Sequence, residues 1–186
     1  DPAARSDLLQ LRALCEAVDS DAFAPISAEE VSDQRTPAFI LQLSSIVQAS
    51  VDLAVTEGAL DLTGMKPQAN ANRIGRYAYL GIGRHVGLWF GIHFGLWKAH
   101  GRTPLWAVFS PTSFGRSCEV RGLLEPWVAK NRVFAASEND DFVVAIDMPL
   151  GEEKHTVVRA NVDRLKEIVD VLSVLKSKPT GSLDNE

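Results

Sequence analysis

The apolar pattern of this chain changes period after residue 75, and that change limits the possible folds most strongly. Short apolar and aromatic runs predict five strands, because they have strand length and are separated by turn residues. The runs lie at 76–82, 88–94, 104–109, 132–136 and 142–148. The segment Ser137 to Asp141 (SENDD) predicts a hairpin turn between the last two strands.

Helical periods surround and precede these runs. Ser27 and Glu30 form a capping box that predicts a short helix near 28–34, and Thr36-Pro37 starts a longer helix that stops at Gly58. Ser6 is expected to cap an earlier helix. Further helices are predicted near 95–100, 115–130 and 157–176.

The fold class predicted from these patterns is α+β: a helical N-terminal unit followed by a mostly antiparallel sheet of about five strands with flanking helices. We divide the chain into a helical unit (1–62), a linker or long loop (63–75), an α+β domain (76–176) and a disordered tail (177–186). Because the sequence starts at Asp1 without an initiator Met, we expect a fragment or a processed product.

Charge is distributed unevenly along the chain, whose net charge is only −5. Residues 1–65 hold three basic against eleven acidic residues, residues 66–136 ten against two, and residues 137–186 six against eleven. The basic middle segment indicates an anion-binding face. The alternative is that it pairs with the acidic flanks, which would leave no strong field.

Candidate ligands for a phosphate group come from this basic segment. Arginine and lysine bind phosphate directly, and hydroxyl groups at the start of a helix near 115 would add hydrogen bonds. The candidates are Arg73, Arg76, Arg84, Lys98, Arg102, Ser113, Arg116, Ser117 and Arg121. Ser and Thr in front of a helix also serve as plain caps, and that alternative stays open.

Three of the four tryptophans lie in the glycine-rich segment 87–106, as Trp89, Trp97 and Trp106. Such rings either stack on nucleic-acid bases or fill the core of the sheet, and the core interpretation is favoured here. A small pocket around His93, Trp97 and Cys118 is a further candidate. No metal-binding motif is present and the two cysteines are far apart, so we expect no metal and no cofactor.

The segment LWFGIHFGLWKAHGRTPLWAVF, together with the earlier LLQLRALCEAVDSDAFAPISAEE, resembles the C-terminal part of bacterial PD-(D/E)XK nuclease-like and restriction-associated proteins. The resemblance depends on Trp89, Gly91 and Trp97 with Thr103-Pro104-Leu105-Trp106 behind them, and it extends from Leu8 to Leu175. It implies a companion domain of a nuclease. The predicted strands 88–94 and 104–109 carry no acidic residue, so nuclease activity is not expected here, and any catalytic residues would precede Asp1.

The function predicted from the sequence is therefore a non-catalytic accessory domain that binds nucleic acid or another phosphate-bearing ligand through residues 66–136. The alternatives are an assembly domain, which would dock onto a second copy or the remainder of a parent chain, and a small-molecule sensor or enzyme domain. We expect a cytoplasmic bacterial protein. No membrane contact is expected, because no apolar run approaches the roughly 18–20 residues that a membrane span needs.

Overall fold

The computed structural model describes residues 26–114 and 116–177, together with Arg5, Ser6 and Gln10. Within these residues it contains five α-helices and seven strands, so the predicted α+β class is confirmed. The helices are α1 (Ala28–Ser32), α2 (Arg35–Thr56), α3 (Phe94–His100), α4 (Ser117–Asn131) and α5 (Lys154–Leu172), which a 3-10 turn (Ser173–Ser177) extends. The strands are β1 (Leu60–Asp61), β2 (Pro67–Ala69), β3 (Arg73–Leu80), β4 (Gly87–His93), β5 (Leu105–Phe109), β6 (Ala135–Glu138) and β7 (Asp141–Ala145).

The chain forms two compact units, Asp1–Phe39 and Ile40–Glu186. In the first unit the predicted capping box is present: the Ser27 hydroxyl accepts from the Glu30 N–H at 3.1 Å, and the Glu30 carboxylate accepts from the Ser27 N–H at 2.7 Å. Helix α2 begins one residue before the predicted Thr36, because Asp33 accepts a hydrogen bond from the Arg35 N–H at 3.1 Å. The helix predicted after Ser6 and the predicted tail lie largely outside the described residues.

The sheet has the strand order β1-β3-β4-β5-β7-β6, with β2 also paired to β3, and every pairing is antiparallel. All five predicted strands are present within a few residues of their expected positions. The structure differs from the prediction at residues 63–75, which were expected as a linker or long loop. This segment contains β2 and the first residues of β3, so it belongs to the sheet.

The predicted hairpin turn joins β6 to β7 through two residues. Asn139 and Asp140 both have positive φ, at 48° and 72°. Two consecutive residues with positive φ are typical of a type I′ turn, whose twist matches that of the flanking strands. Asn and Asp tolerate this backbone region better than other non-glycine residues, so the local sequence accounts for this turn.

Apolar side chains are buried on both faces of the sheet. On one face Phe90, Phe109 and Val144 pack with residues of α2, α4 and α5. On the other face Trp89, Trp106 and Val108 form a second, smaller cluster. Trp89 and Trp106 are 1% and 0% exposed, which agrees with the core interpretation of these two rings. The Trp106 indole N–H donates to the Thr103 carbonyl at 2.9 Å.

Helix α2 corrects one expectation about the apolar runs. Its 22 residues have a mean hydropathy of 1.6 over the most apolar window, so by length and composition alone it is able to cross a membrane. Core helices of soluble proteins pass the same test. In this structure α2 places Leu43, Ile46, Val47, Val51 and Ala54 in the core.

Candidate functional site

Antiparallel pairing brings two loops to one edge of the sheet. Strand β3 ends at this edge, β4 begins there and β5 ends there, because β4 pairs with both neighbours in antiparallel register. The connection 81–86 between β3 and β4 therefore lies near residues 110–114, which follow β5. These two segments supply four of the eight residues that line the groove described below.

A groove of about 620 Å³ lies at this edge. Its volume is within the range of ordinary small-molecule sites. Its lining combines aromatic rings with cationic and hydroxyl groups, and it consists of Met65, Tyr77, Tyr79, Arg84, His85, Ser113, Phe114 and Arg116. All of these residues belong to the second compact unit.

Three aromatic rings form the floor of the groove. Tyr77 and Tyr79 are two positions apart in β3, so both side chains point to the same face of the sheet. The Phe114 ring lies 6.1 Å from the Tyr77 ring and 5.9 Å from the Tyr79 ring, measured between centroids. All three residues are only partly buried, so their rings remain accessible from the groove.

Gly87 makes room for the Phe114 ring. A Cβ atom at residue 87 would lie 2.2 Å from Cε1 of Phe114, closer than real Cβ contacts ever are. The ring therefore rests directly on the backbone of β4. A larger residue at this position would require the ring to move, so the glycine permits this close approach.

Arg84 lies on the rim of the groove beside a carboxylate. Its Nε is 3.4 Å from Oδ2 of Asp61, and its side chain is 63% exposed. Hydrogen bonds from the Thr63 hydroxyl and then the Thr63 N–H lower the pKa of Asp61, and the Arg84 charge adds to this effect. The Arg84–Asp61 pair is long and exposed, which makes it weak. The guanidinium therefore has N–H groups available to an anion in the groove.

Arg116 and His85 converge on one backbone oxygen. The carbonyl of Leu175 accepts from Nη1 of Arg116 at 3.1 Å and from Nε2 of His85 at 3.2 Å. Arg116 also donates through Nε and Nη2 to the carboxylate of Glu119. These bonds fix the Arg116 and His85 side chains against the 3-10 turn that follows α5. Arg116 is therefore a rigid wall of the groove, and Arg84 is its more exposed cation.

Of the nine predicted phosphate ligands, Arg84, Ser113 and Arg116 meet in the groove. Ser117 is the first residue of α4, and Arg116 is the N-cap residue of that helix, without a side-chain capping bond. Lys98 lies exposed on α3.

Lys98 does not line the groove, and neither do the remaining four predicted ligands, Arg73, Arg76, Arg102 and Arg121. Arg73 lies over the Trp89 ring at 5.3 Å and donates to the Tyr77 hydroxyl at 3.2 Å. Arg76 donates to the Met65 carbonyl at 3.4 Å, while its buried Nε has no hydrogen-bond partner among the described residues. Arg102 and Arg121 form ion pairs with acidic residues elsewhere on the molecule.

Part of the basic middle segment pairs with the acidic flanks. Arg102 forms a bidentate pair with Asp147, and Nε2 of His100 lies 3.1 Å from Glu138. Arg121 instead pairs with Glu125 one helical turn away, within the same segment. Pairing with the acidic flanks therefore holds for Arg102 and, through the longer contact with Asp61, for Arg84.

The residues of the predicted pocket have separate roles. His93 caps α3, because its Nδ1 accepts from the Leu96 N–H at 3.2 Å. Burial, and then the nearby charge of Arg73, lower the pKa of His93, which agrees with a neutral ring that accepts this bond. Trp97 packs partly buried against the main core, and Cys118 is exposed near the start of α4. None of the three lines the 620 Å³ groove.

Sequence reasoning missed the aromatic floor. Tyr77 and Tyr79 were placed in a predicted strand, but only their alternation with Ala78 indicates that they share one face. Phe114 was part of the predicted loop before the helix, without a role. The sequence analysis considered stacking only for the tryptophans at 87–106, and the structure buries Trp89 and Trp106 as the favoured core interpretation predicts.

No family model, no curated protein and no solved structure matches this chain. The resemblance to PD-(D/E)XK nuclease-like proteins therefore stays a prediction. Within the described part of the chain, no group of three or more His, Cys, Asp or Glu side chains is placed to hold a metal ion.

Proposed function

We propose that this chain is a binding domain for a phosphate-bearing ligand, with nucleic acid as the principal candidate, and that the ligand occupies the groove between residues 81–86 and residues 110–114 with Arg116. One observation carries the proposal. Arg84, Ser113 and Arg116, three residues predicted as phosphate ligands from the sequence, line the same groove although they are up to 32 positions apart. His85 adds a fourth polar side chain to the lining of the groove.

The chemistry of these groups suits an anion. Guanidinium groups donate several hydrogen bonds in one plane and match the oxygens of a phosphate. Arg84 is largely exposed and its bond to Asp61 is long, so a phosphate can replace that contact at little cost. The hydroxyl of Ser113 is also exposed at the groove.

Acidic groups near the groove limit its attraction for a phosphate. Asp61 and Glu119 each pair with one of the two arginines. The ligand therefore meets a partly neutralised site, and we expect moderate affinity that falls with salt by a slope of about 0.7 for each phosphate contact. An accessory binding role agrees with such a site.

The test is the binding of a fluorescein-labelled 15-nucleotide oligodeoxythymidine, followed by fluorescence anisotropy between 50 and 200 mM NaCl. We expect Arg84→Gln to weaken binding at low salt and to reduce the slope of log K against log [salt] by about 0.7, the value for one phosphate contact to a single strand. Absence of binding by the wild-type protein at 50 mM NaCl would overturn the proposal.

The matched control is Arg121→Gln. It removes one positive charge from the same basic segment, but Arg121 lies on α4, pairs with Glu125 and does not line the groove. If both substitutions lower the affinity equally, the attraction is due to net charge and the groove has no special role. If only Arg84→Gln lowers it, the groove is the binding site.

A further inference from the structure

We infer that the ligand of this groove is single-stranded nucleic acid, and that Tyr77, Tyr79 and Phe114 are the platform on which an unpaired base stacks. This inference deepens the proposed function and depends on it. It is based on the three aromatic rings of the groove floor, whereas the proposed function is based on Arg84, Ser113 and Arg116.

The aromatic floor has no evident role in a site for phosphate alone. A bare phosphate needs donors and positive charge, which Arg84, Arg116 and Ser113 already supply. The Phe114 ring lies beside both tyrosine rings, and these three partly exposed rings present an apolar surface that a phosphate does not use. A base has a flat π-face, and stacking on aromatic side chains is the usual way in which proteins bind unpaired bases.

The exposure of the rings distinguishes this floor from the tryptophan cluster. Trp89 and Trp106 are almost fully buried and offer no surface for stacking. Tyr77, Tyr79 and Phe114 are partly exposed and line an open groove. The stacking surface is therefore the one on β3 and the loop after β5.

Positive charge lies at both ends of the floor. Arg73 and Tyr79 are six positions apart in β3 and lie on the same face, so their Cα atoms are separated by about 20 Å. Arg73 is the first residue of β3, where it contacts the Tyr77 hydroxyl and the Trp89 ring. Arg84 lies at the other end, in the connection after β3, beside Asp61. A strand laid along β3 would thus meet a cation, the aromatic rings and a second cation in that order.

This arrangement favours an unpaired strand over a duplex. In a duplex the faces of the bases are covered by their neighbours, and only phosphates and base edges are accessible. The Tyr77, Tyr79 and Phe114 rings would then have no partner. Extracting a base from a duplex also costs the energy of unpairing and unstacking it. We therefore expect single strands to bind more tightly than duplexes of equal length.

The experiment compares three probes on the full chain: fluorescein-labelled 15-nucleotide oligodeoxythymidine, its duplex with oligodeoxyadenosine, and inorganic polyphosphate added as an unlabelled competitor. Tyr79→Ala removes one ring of the floor. We expect it to weaken binding of the single strand by about 5- to 150-fold, which corresponds to the usual worth of one stacked base, ~1–3 kcal/mol. Tyr79→Phe keeps the ring and is expected to stay within about twofold of the wild type.

Polyphosphate separates this inference from the proposed function. It has the phosphates but no bases, so Tyr79→Ala should leave its affinity unchanged while Arg84→Gln lowers it. Loss of polyphosphate and single-strand binding to the same extent in Tyr79→Ala would overturn the stacking inference. So would a duplex that binds as tightly as the single strand, or an unchanged single-strand affinity in Tyr79→Ala. Polyphosphate binding that Arg84→Gln weakens would leave the proposed function standing in each of these cases.

Discussion

Substitution of Gly87 by alanine tests the aromatic floor through its support on β4. An added Cβ would lie 2.2 Å from Cε1 and 2.5 Å from Cζ of Phe114, so the ring must move by about 1 Å to reach an ordinary contact distance. Overpacking of this kind typically costs ~1–3 kcal/mol. The backbone of residue 87 does not have a positive φ, so the cost comes from the ring contact alone.

Urea unfolding followed by tryptophan fluorescence measures this cost. With an m-value of about 2 kcal/mol/M, the expected loss lowers the midpoint by about 0.5–1.5 M. The same substitution should weaken single-strand binding, because the displaced ring no longer lies beside Tyr77 and Tyr79.

A double-mutant cycle with Phe114→Ala shows whether the ring is the cause. Without the ring, Gly87→Ala has nothing to clash with, and alanine is favoured over glycine in a strand by about 0.5 kcal/mol. We therefore expect a large destabilisation in the wild-type background and a neutral or slightly stabilising effect in Phe114→Ala. An equal cost in both backgrounds would refute the proposed contact.

Three further predictions concern the stability of the fold. Hydrogen bonds from Arg159 and Lys166 lower the pKa of Glu57 from 4.5 to about 2, so the stability that this carboxylate contributes is present above pH 4.5 and is lost as the pH falls toward 2; Glu57→Gln should lower the thermal midpoint at pH 7 and flatten its decline below pH 4.5. Asp140→Gly should raise the urea midpoint by the equivalent of about 0.5 kcal/mol, because glycine adopts the φ of 72° without strain; a lower midpoint would argue against the type I′ turn. Trp106→Phe should cost ~1–3 kcal/mol in urea unfolding, since it leaves the buried Thr103 carbonyl without the indole donor; an unchanged midpoint would contradict that bond.

Local signals predicted most of the fold. The capping box at Ser27 and the SENDD turn act within a few residues, so their structures follow from short segments of sequence. The strands at 88–94 and 104–109 have continuous apolar runs because both faces of the sheet are covered.

Elements held by distant partners were not predictable in the same way. Strands β1 and β2 have only two and three residues and no alternation of their own. They are strands because β3 offers hydrogen-bonding partners along its edge. The expected linker at 63–75 was wrong for this reason.

The site was predictable only in part for a related reason. Counting charges segment by segment identified the basic segment. Pairings such as Arg102 with Asp147, however, depend on the folded arrangement. The convergence of Arg84 and Arg116 depends on which loops share an edge of the sheet. Tyr79 and Phe114 come together only because β3 and the loop after β5 meet over Gly87.

Photocrosslinking tests most directly whether an unpaired base lies on the aromatic floor. A single-stranded oligonucleotide that carries 5-bromouracil is irradiated with the full chain, and the crosslinked peptides are identified by mass spectrometry. We predict crosslinks at Tyr77, Tyr79 or Phe114, and their loss when unlabelled oligodeoxythymidine competes. Competed crosslinks confined to peptides that contain none of these three residues would contradict the account.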